Sequence, residues 1–392
     1  MSKKKVLFVV HQLNYGGVQK ALLSALNAID FDRYDVTLYV RKARLDLLPD
    51  VDKRVSEVII NDDKRHYYRT AYAIWKQFLL KCYSLCGNKT KADGIRCQLG
   101  EHIADQKIQY EKKHFFSDGK RYDVAIAYIQ GYPAKLVANC VDADRKIMFY
   151  HGSTDEHHSL HEAIFDRIDT IVGVNKGVQE VLENLYPAWK NKMTYLTNYV
   201  DADEIREKSR QSVVESETDR VILCTCGRLT PVKGFDLAVK AAKILKDAGE
   251  KFVWYFVGDG PERSKLQGMI KEYGLDDHVI LTGMQSNPYP WIKACDIYVQ
   301  PSYEEAHPLS IVEAQILCKP VVSTATIGGK GLVKDQENGI VCAICHDALA
   351  NSISSLNKHY KWRMKMEQTL MAVDREIEFD LYKSRLNSLL EV

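Results

Sequence analysis

The chain has 392 residues, long enough for two domains that each bury their own core. Hydrophobic residues make up 46% and charged residues 27%, the balance of an ordinary globular protein, and a formal net charge of +2 does not point to a nucleic-acid binder. No apolar run reaches the roughly 18 residues of a membrane-spanning helix.

The N-terminal "MSKKKVLFVVHQLNYGG" resembles a signal peptide only briefly. Its apolar run "VLFVV" is short, and His11 and Gln12 follow it without a small-residue cleavage site. It reads instead as a first buried strand behind a solvated lysine run. The strand leads through Gly16 and Gly17 into the amphipathic "VQKALLSALNAI", and a glycine loop there can admit a phosphate or a sugar.

Residues 61–120 contain no clear parallel strand. From Lys64 to Lys91 there are seven Lys or Arg and no Asp or Glu, with Tyr67, Tyr68, Tyr72, Trp75, Phe78 and Leu79 interleaved at helical spacing. Two readings stay open. The segment is a helix pair closing over its own domain, or it meets an anionic membrane surface or an acidic lipid-linked substrate.

Strand and helix patterns then alternate. "DVAIAYI" precedes "GYPAKLVANCV", "RKIMFYHG" brings His151 to a strand end, and "DTIVGVN" precedes "KGVQEVLENLY". The histidine-rich "EHHSLHE", residues 156–162, reads as a polar segment near an acceptor rather than a metal site. The polar stretch at 206–219 marks a boundary, giving domains at 1–205 and 206–375 and a final amphipathic helix at 376–392. The second series runs "RVILCTCGRL", "KFVWYFVGDG", "HVILTG", "CDIYVQP" and "KPVVSTAT", again with helices between. Continuous apolar strands alternating with helices indicate parallel sheets covered on both faces, so the expected architecture is α/β with two doubly wound domains. Ligands in such sheets bind at the carboxyl ends of the strands, which places a site in the cleft between them.

Three stretches of the second domain carry candidate chemistry. In "GRLTPVKGFD", Gly227 ends a strand and a turn at Pro231 and Gly234 can aim Arg228 and Lys233 at one diphosphate, though a solvated turn has the same composition. "FVGDGPE" is a glycine-bounded turn without the dinucleotide fingerprint. In "PSYEEAHPLSIVEAQ", Pro308 suits the first position of a helix. Glu305 then precedes the helix and Glu313 lies about one and a half turns inside it. Two carboxylates so placed can each accept from a sugar's hydroxyls, one a ribose and one a hexose, with free first-turn amides between them. Glu304 reads as an exposed acid. The ten cysteines follow no disulfide spacing; Cys342 and Cys345 form a lone CxxC, and all read as free thiols of a reducing compartment.

These motifs, in this order, resemble the donor half of the retaining glycosyltransferases of family 4, which have the GT-B fold. Glu305 and Glu313 match that family's E-x7-E signature. The "GGVQ" loop, the "HG" strand end and "LTNYVD" extend the resemblance more loosely into the first domain. The resemblance implies that Arg228 and Lys233, beside Gly227, neutralise the departing diphosphate. It implies that Glu313 binds ribose, and that Glu305 and His151 meet the donor hexose near its anomeric carbon. Backbone at Pro308, Leu309 and Ser310 would meet phosphate or sugar, Gly16 and Gly17 would line the diphosphate and acceptor side, and backbone near Met284 would bracket the base. It further implies a UDP-sugar donor, a glycan or polyprenyl-linked acceptor, capsule-like polysaccharide or glycolipid synthesis, and a cytoplasmic place at the inner membrane face. No DxD-type pair is present, so no metal or other cofactor is expected. Two departures stand out. The family often has Glu-Gly-Phe-Pro where this chain has Glu305-Ala306-His307-Pro308, and the glycine loop usually continues to Glu where Gln19 stands here. An epimerase or phosphorylase on the same scaffold, or a non-catalytic subunit, are the competing expectations.

Overall fold

A computed structural model describes residues 2–42, 44–61, 71–85, 89–117, 119–153, 158–211 and 219–391. The first half contains strands β1 (Lys4–Val10), β2 (Tyr34–Val40), β3 (Glu57–Ile60), β4 (Arg121–Ala127), β5 (Asp142–Tyr150), β6 (Thr170–Gly173) and β7 (Met193–Tyr195). Its helices are α1 (Gly17–Asn27), α2 (Ala71–Leu85), α3 (Lys89–Phe115), α4 (Tyr132–Cys140), α5 (His158–Phe165), α6 (Lys176–Leu185) and α7 (Ala202–Lys208). The second half has β8 (Val221–Cys226), β9 (Phe252–Val257), β10 (Val279–Gly283), β11 (Ile297–Gln300), β12 (Val321–Thr324) and β13 (Gly339–Cys342). Its helices are α8 (Phe235–Asp247), α9 (Arg263–Glu272), α10 (Tyr289–Ala294), α11 (Leu309–Ile316), α12 (Ile327–Leu332), α13 (His346–Lys358), α14 (Tyr360–Met371) and α15 (Arg375–Leu390).

Both sheets are parallel throughout their described strands. The first has the order β3-β2-β1-β4-β5-β6-β7 and the second β10-β9-β8-β11-β12-β13. Strand order reverses between β1 and β4 and again between β8 and β11, the switch points where doubly wound sheets bind ligands. The central strands are apolar because helices cover both of their faces; Val6 to Val9 and Ile297 to Val299 are fully buried. Two polar side chains in the second core pair with each other. The Trp254 indole donates to Thr225 Oγ1 at 3.0 Å, and Thr225 donates to the Val299 carbonyl at 2.7 Å.

The segment without strands is a helix pair, α2 against α3. Ile95, Leu99 and Ile103 are buried at four-residue spacing along α3, the period of one helix face. A buried polar knot fastens α3 to the strand ends. The Arg41 guanidinium lies 3.5 Å above the Tyr132 ring and 3.4 Å from Glu111, and Tyr132 donates to Glu111 at 3.1 Å. Arg41 also contacts His11 Nδ1 at 3.1 Å; burial, then Arg41, lowers the His11 pKa to about 4. On the outer side of α2, Ile74, Trp75 and Phe78 are exposed. Residues 62–70 and 86–88, which carry part of the basic aromatic stretch, lie outside the described residues.

The last helix returns to the first domain. Asp374 caps α15 by accepting from the amides of Glu376 and Ile377. Tyr382, Leu386 and Leu390 then enter the core that holds Phe8, Val36 and Tyr128. Asn387 closes the contact, accepting from the Asp30 amide and donating to the Ala28 carbonyl, each at 3.4 Å.

Candidate functional site

The cleft site begins with backbone brought unusually close. Gly234 has φ +65°, and a Cβ there would lie 2.1 Å from the Pro301 carbonyl oxygen. Gly258 has φ +144°, and its Cβ would lie 1.9 Å from the Gly227 carbonyl oxygen. Only glycine fits either position, and the two contacts draw the loops after β8, β9 and β11 together at the switch point.

Glu305 sits on the loop after β11 and is buried. Its Oε1 accepts from Lys233 Nζ at 2.6 Å, Ser302 Oγ at 2.8 Å and Gln300 Nε2 at 3.0 Å. Gln300 is itself fixed, accepting from Ser310 Oγ at 2.9 Å and the Tyr298 hydroxyl at 3.1 Å. Among the described residues Oε2 of Glu305 carries no hydrogen bond. Glu313, inside α11, is also buried. Its Oε1 accepts from Lys20 Nζ at 2.7 Å, and the Tyr289 hydroxyl lies 3.5 Å away. Between these carboxylates no side chain among the described residues caps the start of α11, so its first amides and its positive dipole end are left available to a ligand.

The two expected cations behave differently. Lys233 is committed to Glu305, whereas the Arg228 side chain is exposed and has no ion pair among the described residues. The sequence reading aims both at one diphosphate; in the structure Lys233 stands within hydrogen-bond reach of a carboxylate and Arg228 does not. Pro308 differs by one position from expectation. Its ψ of 105° keeps it extended as the N-cap, and Leu309 opens the helix.

The first domain supplies the opposite wall. Gly17 opens α1, and a Cβ on it would reach Leu309 Cδ1 at 4.0 Å, so the Gly16–Gly17 loop faces the start of α11. His151 follows β5, its ring packed 5.4 Å from Tyr128. Burial lowers its pKa to about 3, and its Nε2 is buried without a hydrogen-bond partner among the described residues. Across the seam, burial lowers His307 to about 4 against the opposing effect of the Asn198 backbone, and neither ring nitrogen has a partner in hydrogen-bond geometry among the described residues. Both rings are neutral at ordinary pH, and a neutral imidazole offers one donor and one acceptor, which suits hydroxyl groups. Met284 follows β10 with its side chain 68% exposed, at the rim.

Further bonds join the domains at this place. Asn175 caps α6 through Oδ1 and donates through Nδ2 to the Ala306 carbonyl, and Ser153 donates to Glu304 at 2.6 Å. Glu304 is therefore an interdomain acceptor, not the exposed acid that its position suggested. Lys20, Tyr289, Gln300, Ser302, Asn175 and Ser153 escaped sequence reasoning. Their one available signal was proximity to a glycine loop or a strand end, which solvated side chains share. No group of three or more His, Cys, Asp or Glu among the described residues is placed to hold a metal ion; residues 156 and 157 of the histidine-rich stretch lie outside them. The described cysteines of the CxxC, Cys342 and Cys345, are free thiols. No described helix is long and apolar enough to cross a membrane.

Residues 205–370 match the family described as "Glycosyl transferases group 1". That segment is similar to the group 1 glycosyltransferase domain. Among curated proteins, the lipopolysaccharide core biosynthesis glycosyltransferase LpsE of Rhizobium meliloti is 27% identical over 180 residues, 46% of this chain and 51% of that protein. The N-acetylgalactosamine-N,N'-diacetylbacillosaminyl-diphospho-undecaprenol 4-alpha-N-acetylgalactosaminyltransferase of Campylobacter jejuni is 25% identical over 241 residues, 61% of this chain and 64% of that protein. The chain thus spans about half the length of the curated relatives it matches. Anabaena Alr3699/HepE, solved in complex with UDP-glucose, has a TM-score of 0.71 at 16% identity and covers 99% of both chains. At that identity the likeness concerns the fold, and the fold is GT-B.

Proposed function

We propose that the chain is a glycosyltransferase. It moves a hexose or N-acetylhexosamine from a UDP-sugar to a glycan or polyprenyl-linked saccharide, with retention, in cell-surface polysaccharide or glycolipid assembly. The observation that carries this reading is the pair of buried, cation-held carboxylates, Glu305 and Glu313, on either side of the uncapped start of α11, with the exposed Arg228 on the loop that also carries Lys233. Glu313 takes the ribose and Glu305 the hexose. The α11 amides and Arg228 take the diphosphate, whose negative charge grows as the glycosidic bond breaks; fixed positive groups there stabilise the transition state. His151 lines the hexose pocket as a neutral hydrogen-bonding group. Closure of the domains excludes water and favours transfer over hydrolysis. No metal or other cofactor has a role in this scheme. The family assignment of residues 205–370, the names of the relatives and the UDP-glucose bound by the Anabaena protein all support the donor class.

In this reading the acceptor lies at the inner face of a membrane, and the exposure of Ile74, Trp75 and Phe78 on α2 supports a contact with anionic lipid there. The basic composition of residues 64–91 supports that placement.

The donor reading is tested by a thermal-shift panel of nucleotide sugars with chelator present. A ligand at about 100 times its Kd stabilises the native state by roughly 2.7 kcal/mol. The expected result is a shift with one UDP-sugar that Glu313→Ala abolishes. A panel without any shift, alongside a control binder that does shift, would instead favour a non-catalytic GT-B-like subunit.

A further inference from the structure

Glu313 does not stand alone in the cleft, and what holds it comes from the other domain. Lys20 lies one turn into α1, 293 positions away in sequence, and its Nζ is 2.7 Å from Glu313 Oε1. Tyr289, on α10, completes a triangle. Its hydroxyl is 3.3 Å from Lys20 Nζ and 3.5 Å from the same carboxylate oxygen, and Lys20 Nζ lies 5.0 Å from its ring centroid. Both contacts fall on Oε1; Oε2 carries no hydrogen bond among the described residues. The Glu313 side chain is only 4% exposed. A carboxylate in such a place needs a partner, because desolvating an unpaired charge is costly. Lys20 keeps its own charge there: burial opposes it, but Glu313 and Tyr289 outweigh burial and raise its pKa.

We propose that Lys20 is a positioning residue for the nucleoside of the donor, pinning one oxygen of Glu313 so that the other meets the ribose hydroxyls. This rests on the donor reading given above. A glutamate on a helix has several side-chain rotamers, and two partners on Oε1 fix where Oε2 stands. The lysine charge also offsets that of Glu313, so a diphosphate arriving at the adjacent α11 terminus does not meet a bare carboxylate. Since α1 and α11 belong to different domains, the pinned geometry exists only when the domains are together. Ribose recognition and closure are thereby one event.

The test compares the affinities of UDP and 2′,3′-dideoxy-UDP by calorimetry for the wild type and for Lys20→Met, Lys20→Arg and Glu313→Gln. Wild type is expected to favour UDP by about tenfold or more, the scale of one good charged hydrogen bond. Lys20→Met should bring the two ligands to within about threefold of each other, Glu313→Gln should do the same, and Lys20→Arg should keep most of the preference. A Lys20→Met protein that binds both ligands more weakly by an equal factor overturns the proposal, because Lys20 would then merely hold the domains together. A wild type that binds no UDP, or a Glu313→Gln protein with an undiminished preference, overturns the donor reading itself.

Discussion

Arg228 and Lys233 are five positions apart and carry the same charge, yet their surroundings give them different work. Lys233 neutralises Glu305 and belongs to the buried network that fixes it. Arg228 is exposed and unpaired among the described residues, so it costs little to keep and is free to meet a diphosphate. Arg228→Ala should therefore lower kcat by about 100- to 1,000-fold, the range for losing one fixed transition-state donor. The melting temperature should stay within a degree or two. A melting point that falls sharply together with activity would show that the arginine is structural. His307 makes a different prediction. Its pKa in the folded protein is about 4, below the ordinary 6.5, because burial opposes its charge. Between those values the unfolded chain binds a proton that the native protein does not. Each such histidine thus removes about 1.4 kcal/mol of stability per pH unit as pH falls below 6.5, and contributes nothing above it. His307→Phe should shrink the stability difference between pH 7.5 and pH 5 by about 2 kcal/mol, read from urea unfolding. An unchanged difference would mean that His307 is hydrated or already paired.

At the scale of elements, the decisive pieces are short. Gly234 joins β8 to α8 in a left-handed conformation against the Pro301 carbonyl. That contact sets the distance between Lys233 and Glu305, because the two loops cannot separate without losing it. The other telling element is α15, whose sequence pattern says amphipathic and nothing about where its apolar face goes. Its Leu386 is fully buried against the first domain. Leu386→Ala should cost about 2–5 kcal/mol, the range for a truncated core leucine. If unfolding midpoints barely move, the helix does not dock as described. Strands β2, β3, β7 and β13 were not singled out in the sequence. β2 is "YDVTLYV", in which Asp35 and Thr37 interrupt the apolar run, and the other three have only three or four residues each. Short edge strands bury little and leave little pattern.

Across the whole molecule, a shared apolar cluster and, among the described residues, polar bonds such as Lys20 to Glu313, Asn175 to Ala306 and Ser153 to Glu304 join the two domains. The proposed membrane-borne acceptor calls for a lipid-binding outer surface on α2. A flotation experiment with vesicles should recover the protein when they contain anionic phospholipid and not when they are zwitterionic. Trp75→Ala with Phe78→Ala should reduce recovery several-fold, and raising salt should do so too. Recovery that ignores lipid charge would leave α2 as a helix that only covers α3.

Much was legible in the one-dimensional string. Two alternations of apolar strand and amphipathic helix determined two doubly wound domains, since a strand buried on both faces can satisfy its neighbours only in a covered parallel sheet. The glycine turns and the spacing of Glu305 and Glu313 marked the candidate site, because backbone crowding and helix period are local properties. The partners of those glutamates were not legible. Lys20 lies 293 positions from Glu313, and nothing near it distinguishes a lysine bound for a buried carboxylate from one left in water. Only folding, which sets α1 against α11, decided which cation each carboxylate received and which arginine remained free.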